Sequence, residues 1–319
     1  MNKSLLALAV LGAFAGTVSA QSSVTIGGTM DMAARHISNQ GRGSVQVLAT
    51  NGLSSSALRF FGTEDMGGGL KAGFWLEADV NGDTGTSAAK FWGRRSTVSL
   101  IGRFGEVRLG RDFSPTFMNY TVFDAFGTNG VASALNVISV LGSGATTLVR
   151  TSNAVNYFLP AMGGVYGHLQ VAAGEGTTGQ KYMGARFGYA GGPVNVALAL
   201  GKTHKTGTMI DDYTDTNVGV SYNAGFMRAN FTYSKRDYAT LNQKTIHGNL
   251  VFPVGAGNFK VGYAKSSGGT VAQDATQLGF GYDHNLSKRT ALYATYGKQD
   301  RTGTATDVTA YEFGVRHNF

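Results

Sequence analysis

The chain has 319 residues, 42% of them hydrophobic, and a formal net charge of +8. Its 27 lysines and arginines are scattered, never more than two together, without the dense run that tracks a phosphate backbone, which argues against nucleic-acid binding. Cysteine is absent, so disulfide and thiol chemistry are excluded, and 47 glycines against 4 prolines suit tight turns rather than a proline-rich disordered chain.

Residues 1–20 read as a secretory signal peptide. Lys3 supplies the positive start, the apolar run extends from Leu5 to Val18, and Val18, Ser19 and Ala20 form a small-residue cleavage site before Gln21. The mature chain is then residues 21–319, with a net charge of +7 once Lys3 is gone. No later segment offers about 18 uninterrupted apolar residues, so no transmembrane helix is expected.

Beyond the leader, short segments alternate in hydropathy. Val24, Ile26, Met30 and Met32 alternate with Thr25, Gly27, Thr29 and Asp31. Leu70, Ala72, Phe74 and Leu76 alternate with Lys71, Gly73, Trp75 and Glu77. Similar patterns run through Val194 to Leu200, through Ala229 to Tyr233, and through Tyr311, Phe313, Val315 and Phe319. Period two over such lengths is the signal of a strand with unlike faces.

Seven turn signals are short: residues 65–69, 103–105, 162–164, 190–192, 223–225, 254–257 and 285–288. Eight polar connections are longer: 37–56, 81–90, 112–151, 174–180, 202–213, 236–243, 266–273 and 299–306. Fifteen connections imply sixteen strands. Short turns at one end and long loops at the other are the layout of an antiparallel transmembrane β-barrel in an outer membrane. A soluble sandwich of sixteen such strands would be unusually large. A closed barrel pairs every backbone group without edges, and a sixteen-stranded one encloses water, which accepts a polar inner face. Tyr157, Tyr189, Tyr222, Tyr233, Tyr263, Tyr282 and Tyr296 fall near strand ends on the apolar face, where an aromatic girdle belongs.

The connection over residues 112–151 stands apart. Connections of about 40 residues are uncommon unless functional. Asp124 is the one charged residue between Phe113 and Val149, so this apolar third loop is expected to fold back into the lumen and narrow the pore.

Several stretches together resemble the general diffusion porins of Gram-negative bacteria, specifically their anion-selective trimeric branch. They are residues 22–26 (SSVTI), 62–74 (GTEDMGGGLKAGF), 104–111 (FGEVRLGR), 285–293 (NLSKRTALY) and 311–319 (YEFGVRHNF). The resemblance covers the whole mature chain. It implies a sixteen-stranded barrel with the third loop in the lumen, a homotrimer in the outer membrane, and contact with outer-membrane lipid and lipopolysaccharide. It also implies that the last strand, ending in Phe319, is read by the barrel insertion machinery. The solutes it implies are small and anionic; no cofactor or metal is implied.

In that family a ladder of basic residues faces the third loop. The position after the loop falls on Arg150, which counting back in twos from Asn156 and Ala154 puts on the lumen face. A second falls on Arg94 or Arg95; the family pattern favours the first and the local alternation with Val98 and Leu100 the second. A third position is Ala57 here, and Arg59, two residues on, keeps the same face. Asp124 stands as the loop's acid. Arginines on one wall without matching carboxylates favour anions, since arginine keeps its proton. The competing reading of each is an internal salt bridge to Glu77, Asp79 or Glu312.

The six histidines fall in no metal-ligand spacing, and no nucleotide-binding or serine-elbow motif is present. A barrel enzyme would need a partnered histidine, and His168, beside Tyr166 and Gln170, is the best candidate. A passive anion-preferring pore is therefore the expectation. A solute-specific channel is the rival of the same kind, and a barrel hydrolase or surface adhesin the rival of another. For assembly, the outward residues Gly28, Ser96 and Thr97 on the early strands suit a protein neighbour better than lipid.

Overall fold

A computed structural model describes residues 23–39, 43–176, 180–270, 274–303 and 306–319. The leader and its cleavage site lie outside the described residues. The wall is a closed antiparallel sheet: β1 (Ser23–Asn39) pairs with β17 (Val308–Asn318), from Thr29 opposite Asn318 to Asn39 opposite Val308. Phe319 seals the seam, exchanging two backbone hydrogen bonds with Gly28 at 2.9 and 3.1 Å.

The first long loop is shorter than expected. Residues 43–50 are a strand, β2 (Gly43–Thr50), paired with the far half of β1, while β3 (Ala57–Gly67) pairs with its near half. The two share one place in the wall, so seventeen strands fill sixteen positions. Val45 and Val47 are good strand formers, and the alternation breaks only at Asn51, which has a positive φ of 70°. Residues 51–56 are held by the fully buried Asp31, whose carboxylate accepts the backbone N–H groups of Gly52, Leu53 and Ser54 at 3.2, 2.9 and 2.6 Å.

From there β4 (Leu70–Asp79), β5 (Arg95–Gly102), β6 (Gly105–Phe113), β7 (Arg150–Phe158) and β8 (Val165–Ala172) follow as neighbours. The circuit continues through β9 (Tyr182–Gly191), β10 (Val194–Thr203), β11 (Tyr213–Asn223) and β12 (Arg228–Tyr238). It closes through β13 (Leu241–Val254), β14 (Gly257–Gly268), β15 (Ala275–Asn285) and β16 (Thr290–Arg301) to β17. All seven short turns expected from the sequence join strands at one end. At the other end, residues 236–243 are a two-residue turn between long strands rather than a loop.

The outward face is the apolar one: Val24 is 69% exposed, Ile26 63% and Phe313 63%. In water such a surface would drive association, whereas against hydrocarbon it is the favourable arrangement. Tyr189, Tyr222, Tyr233 and Tyr263 stand on this face, as the girdle requires. The seam residues need correction. Thr97 is buried and accepts a hydrogen bond from Arg95 at 3.1 Å, so it points inward. Gly28 does face out, but the Phe319 ring lies over it where a β-carbon would stand. No helix among the described residues is long and apolar enough to cross a membrane.

Candidate channel constriction

Residues 114–149 leave the wall between β6 and β7 and fold against its inner face. The neck is closed by Ser114, whose N–H donates to Val149 O at 3.1 Å and whose hydroxyl donates to Leu148 O at 2.9 Å. The same hydroxyl accepts Phe117 N–H at 3.3 Å and so caps helix α1 (Pro115–Phe123), with Pro115 in the first turn where its missing N–H costs nothing. The sequence offered no helical stripe here because α1 is covered on several sides: Thr116, Phe117, Asn119, Tyr120 and Phe123 are all buried. It packs against β9, β10, β11 and β12.

Wall side chains then reach for loop backbone. Asn217 donates to Thr116 O at 3.2 Å and Asn249 to Phe123 O at 2.8 Å. Ser266 donates to Val137 O at 2.6 Å, Gln277 to Val131 O at 3.0 Å and Gln299 to Asn136 O at 2.7 Å. Such bonds contribute roughly 1 kcal/mol each, and the penalty for leaving a buried carbonyl without one is larger. Tyr120 donates to the buried Asp215 at 2.9 Å; burial, with that carboxylate beside it, pushes the phenol's pKa up, so the donor keeps its proton. Glycines let the loop lie flush: at Gly219 a β-carbon would strike the Phe123 ring, and at Gly297 the backbone of Val131. The far end of the loop reaches β17 and the 51–56 segment. Val131 N–H donates to Glu312 at 3.4 Å, and Ser55 donates to Asn129 at 2.9 Å.

Asp124 was expected at the constriction as the loop's acid. It is buried, and its carboxylate folds the loop instead, accepting Phe126 N–H at 2.9 Å, Thr128 N–H at 3.3 Å, Ala134 N–H at 3.2 Å and Ser133 Oγ at 2.9 Å. A short 3-10 turn, Ala134–Val137, follows.

The arginines of β3 to β7 form the facing group. Both Arg94 and Arg95 turn inward. Arg94 Nε donates to Glu77 at 2.6 Å and its Nη1 to Asp79 at 2.8 Å. Arg95 lies over the Trp75 ring at 4.7 Å, with Asp112 at 3.6 Å. Arg59 donates to Thr29 at 3.0 Å and stands 3.5 Å from Glu77. Carboxylates therefore accompany these three, which follows the competing salt-bridge reading for Glu77 and Asp79 rather than that of an unmatched row. Arg150 is different. It stacks over Phe113 at 4.5 Å, its Nε has no protein partner, and it pairs with no carboxylate among the described residues. A break in the wall's alternation accounts for its setting: the register shifts between Gly110 and Asp112, opposite Asn153 with its positive φ of 56°. Counting in twos fails across such a bulge: Thr151, opposite Asp112, takes the buried inward phase, and Arg150 stands opposite Phe113 and reaches the arginine group from the strand's end. Arg150 lines a cleft of about 510 Å³ with Lys90, Arg111, Glu175 and Gln180.

Sequence reading missed Arg108 and Asp112. Arg108 donates to Glu106 at 2.8 Å and to Asp112 at 2.5 Å, and alternation from Glu106 alone would have put all three inside. It also missed Arg35, which pairs with Glu312 at 2.6 Å. His168 is buried, stacked on Phe158 at 4.2 Å and bonded to Asn156 at 2.9 Å, an amide rather than an acid.

Comparison with known proteins agrees with this fold. The profile of a family described as "Gram-negative porin" matches residues 7–318. Outer membrane porin protein 32 of Delftia acidovorans is 37% identical over the whole of both chains, and an outer membrane porin protein of Bordetella pertussis is 25% identical, again over the whole of both. Among solved structures, the anion-selective porin from Comamonas acidovorans superposes with a TM-score of 0.85 at 31% identity, covering 94% of this chain and 100% of that one. The trimer form of OmpT from Vibrio cholerae matches at a TM-score of 0.70 and 15% identity, covering 93% and 99%, a likeness of fold.

Proposed function

The chain belongs to the Gram-negative porin family, and from that premise we propose that its pore prefers anions and that residues 112–151 set its narrowest point. The protein is an outer-membrane channel for passive diffusion of small hydrophilic solutes, and not an enzyme. The observation that carries the proposal is the division of the lumen. The loop is bonded to strands β9 to β17, so solutes pass between it and the arginines of β3 to β7. Arg59, Arg94, Arg95 and Arg150 line that path. Asp124 serves the loop's fold rather than the passing ions.

The carboxylates beside Arg59, Arg94 and Arg95 hold the guanidinium groups in place and reduce their net field. Arg150, with Arg111 and Lys90 in the same cleft against the single acid Glu175, leaves an excess of positive charge. In a narrow, partly desolvated path a fixed charge is screened less than at an open mouth. The leader is removed to give residues 21–319, three copies associate, lipid and lipopolysaccharide surround the trimer, and Phe319 carries the insertion signal. The named likeness to an anion-selective porin supports the sign of the preference. Planar-bilayer recording across a salt gradient tests it. Ohmic steps with a reversal potential displaced towards that of chloride are expected; displacement towards the cation contradicts the proposal, and block by a single solute makes it a solute-specific channel.

A further inference from the structure

The lumen is rich in arginine, but the barrel's outer face carries lysine. Lys202 of β10, Lys235 of β12, Lys244 of β13, Lys265 of β14 and Lys298 of β16 all share the outward face. Each lies one pleat repeat, about 7 Å, to the long-loop side of an outward apolar or aromatic residue: Leu200, Tyr233, Ile246, Tyr263 and Tyr296. They form a belt at one height, just past the apolar band. Strands β1–β8 carry no lysine on their outward face.

The centre of the belt is crowded with like charge. Lys235 and Lys244 are direct cross-strand partners, and Lys265 stands on the next strand opposite Ile246. Like charges directly opposite one another destabilise a sheet unless an anion lies between them. Lys202, Lys235 and Lys298 have aspartate partners, Asp212, Asp237 and Asp300, at 2.6, 2.8 and 2.9 Å. Lys244 and Lys265 pair with no carboxylate among the described residues.

We propose that this belt binds the phosphate groups of the outer-leaflet glycolipid, with Lys244 and Lys265 as its principal contacts and the sector β10–β16 as the lipid-facing side of the barrel. Basic side chains at the edge of an apolar band attract anionic headgroups, and the neighbouring apolar residues accept acyl chains. The inference rests on the outer-membrane location with the long loops outward.

The test uses the folded full-length porin in detergent micelles. Binding of lipid A, and of lipid A stripped of its phosphates, is measured for the wild type and for Lys244→Gln/Lys265→Gln. The double variant is expected to bind phosphorylated lipid A at least about tenfold more weakly. The stripped lipid should bind both proteins alike. A five-lysine glutamine variant extends the loss if it folds, and the double variant decides the matter if it does not. Equal affinity of wild type and double variant, an equal loss with the stripped lipid, or displacement by the same concentration of inorganic phosphate would each overturn the assignment. Bilayer conductance of the double variant should stay unchanged, because the lysines lie outside the lumen. Unchanged conductance with unchanged lipid affinity would remove the belt and leave the pore intact.

Discussion

On strands β9 to β16 the lumen-facing polar side chains are mostly amides and hydroxyls that bond to the backbone of residues 114–149. On β3 to β7 they are arginines and carboxylates that bond to one another. The difference teaches why one barrel can hold a fixed obstacle and an open path together. A neutral amide completes a carbonyl's hydrogen bonding without adding charge, so the anchored side can dehydrate. A paired guanidinium keeps its charge and stays partly exposed, 12% for Arg94 and 26% for Arg59, so the other side remains wet.

The comparison breaks most severely if the loop is pushed off its wall. Gly297→Val forces a side chain into the Val131 backbone and should cost about 1–3 kcal/mol, as overpacking does. Single-channel conductance should rise and selectivity fall together, with a lower temperature for loss of the folded band on gels. Unchanged conductance would mean that the loop does not set the narrowest point.

A smaller effect is expected from the charged side. Arg94→Ala leaves Glu77 and Asp79 without their shared partner and should cost roughly 1–3 kcal/mol, the scale of charge-assisted bonds in a partly wet site. The reversal potential should move towards the cation by more than for Arg59→Ala, since Arg59 stands 3.5 Å from Glu77 and holds neither carboxylate at hydrogen-bond distance. Equal shifts would show that pairing geometry is irrelevant to the field.

Asp124→Asn comes next. The amide keeps one acceptor where the carboxylate used two oxygens, so about 1–2 kcal/mol of local stability should go. Amide exchange over residues 124–137 should quicken while the mean reversal potential stays put. A clear change of sign preference would return Asp124 to the permeation path. The least effect is expected at Lys205, in the connection between β10 and β11, where Lys205→Glu is screened by salt within about 8 Å at physiological ionic strength.

The barrel was legible because alternation is a direct imprint of a sheet with lipid on one face and water on the other. Leu198 and Phe231 face out and Asn217 and Thr232 face in as their positions in the alternation require. The third loop was legible as a stretch without alternation, but its helix was not, because Pro115–Phe123 is covered on too many sides to show one apolar stripe. The strand Gly43–Thr50 was hidden by the irregular 51–56 segment that follows it. The arginines were found because charge inside a barrel is rare enough to notice. Of their partners, Glu77 and Asp79 were legible as inward acids, whereas Asp112 was not, because it lies at the edge of the loop. Thr97 was misplaced although it shares its face with Arg95 and Ser99, a parity that Val98 and Leu100 fix from the other side.

The central claim is that fixed positive charge beside the third loop selects for anions, and Arg150 tests it most directly because no carboxylate among the described residues stands within ion-pair distance of it. The measurement is the reversal potential of Arg150→Glu in a planar bilayer under a salt gradient, with Lys205→Glu beside it. Loss or inversion of anion preference at Arg150, with little change at Lys205, is the predicted result. Equal effects at both sites would assign selectivity to the overall charge of the protein. Anion preference that survives glutamate at Arg59, Arg94, Arg95 and Arg150 alike would contradict the account.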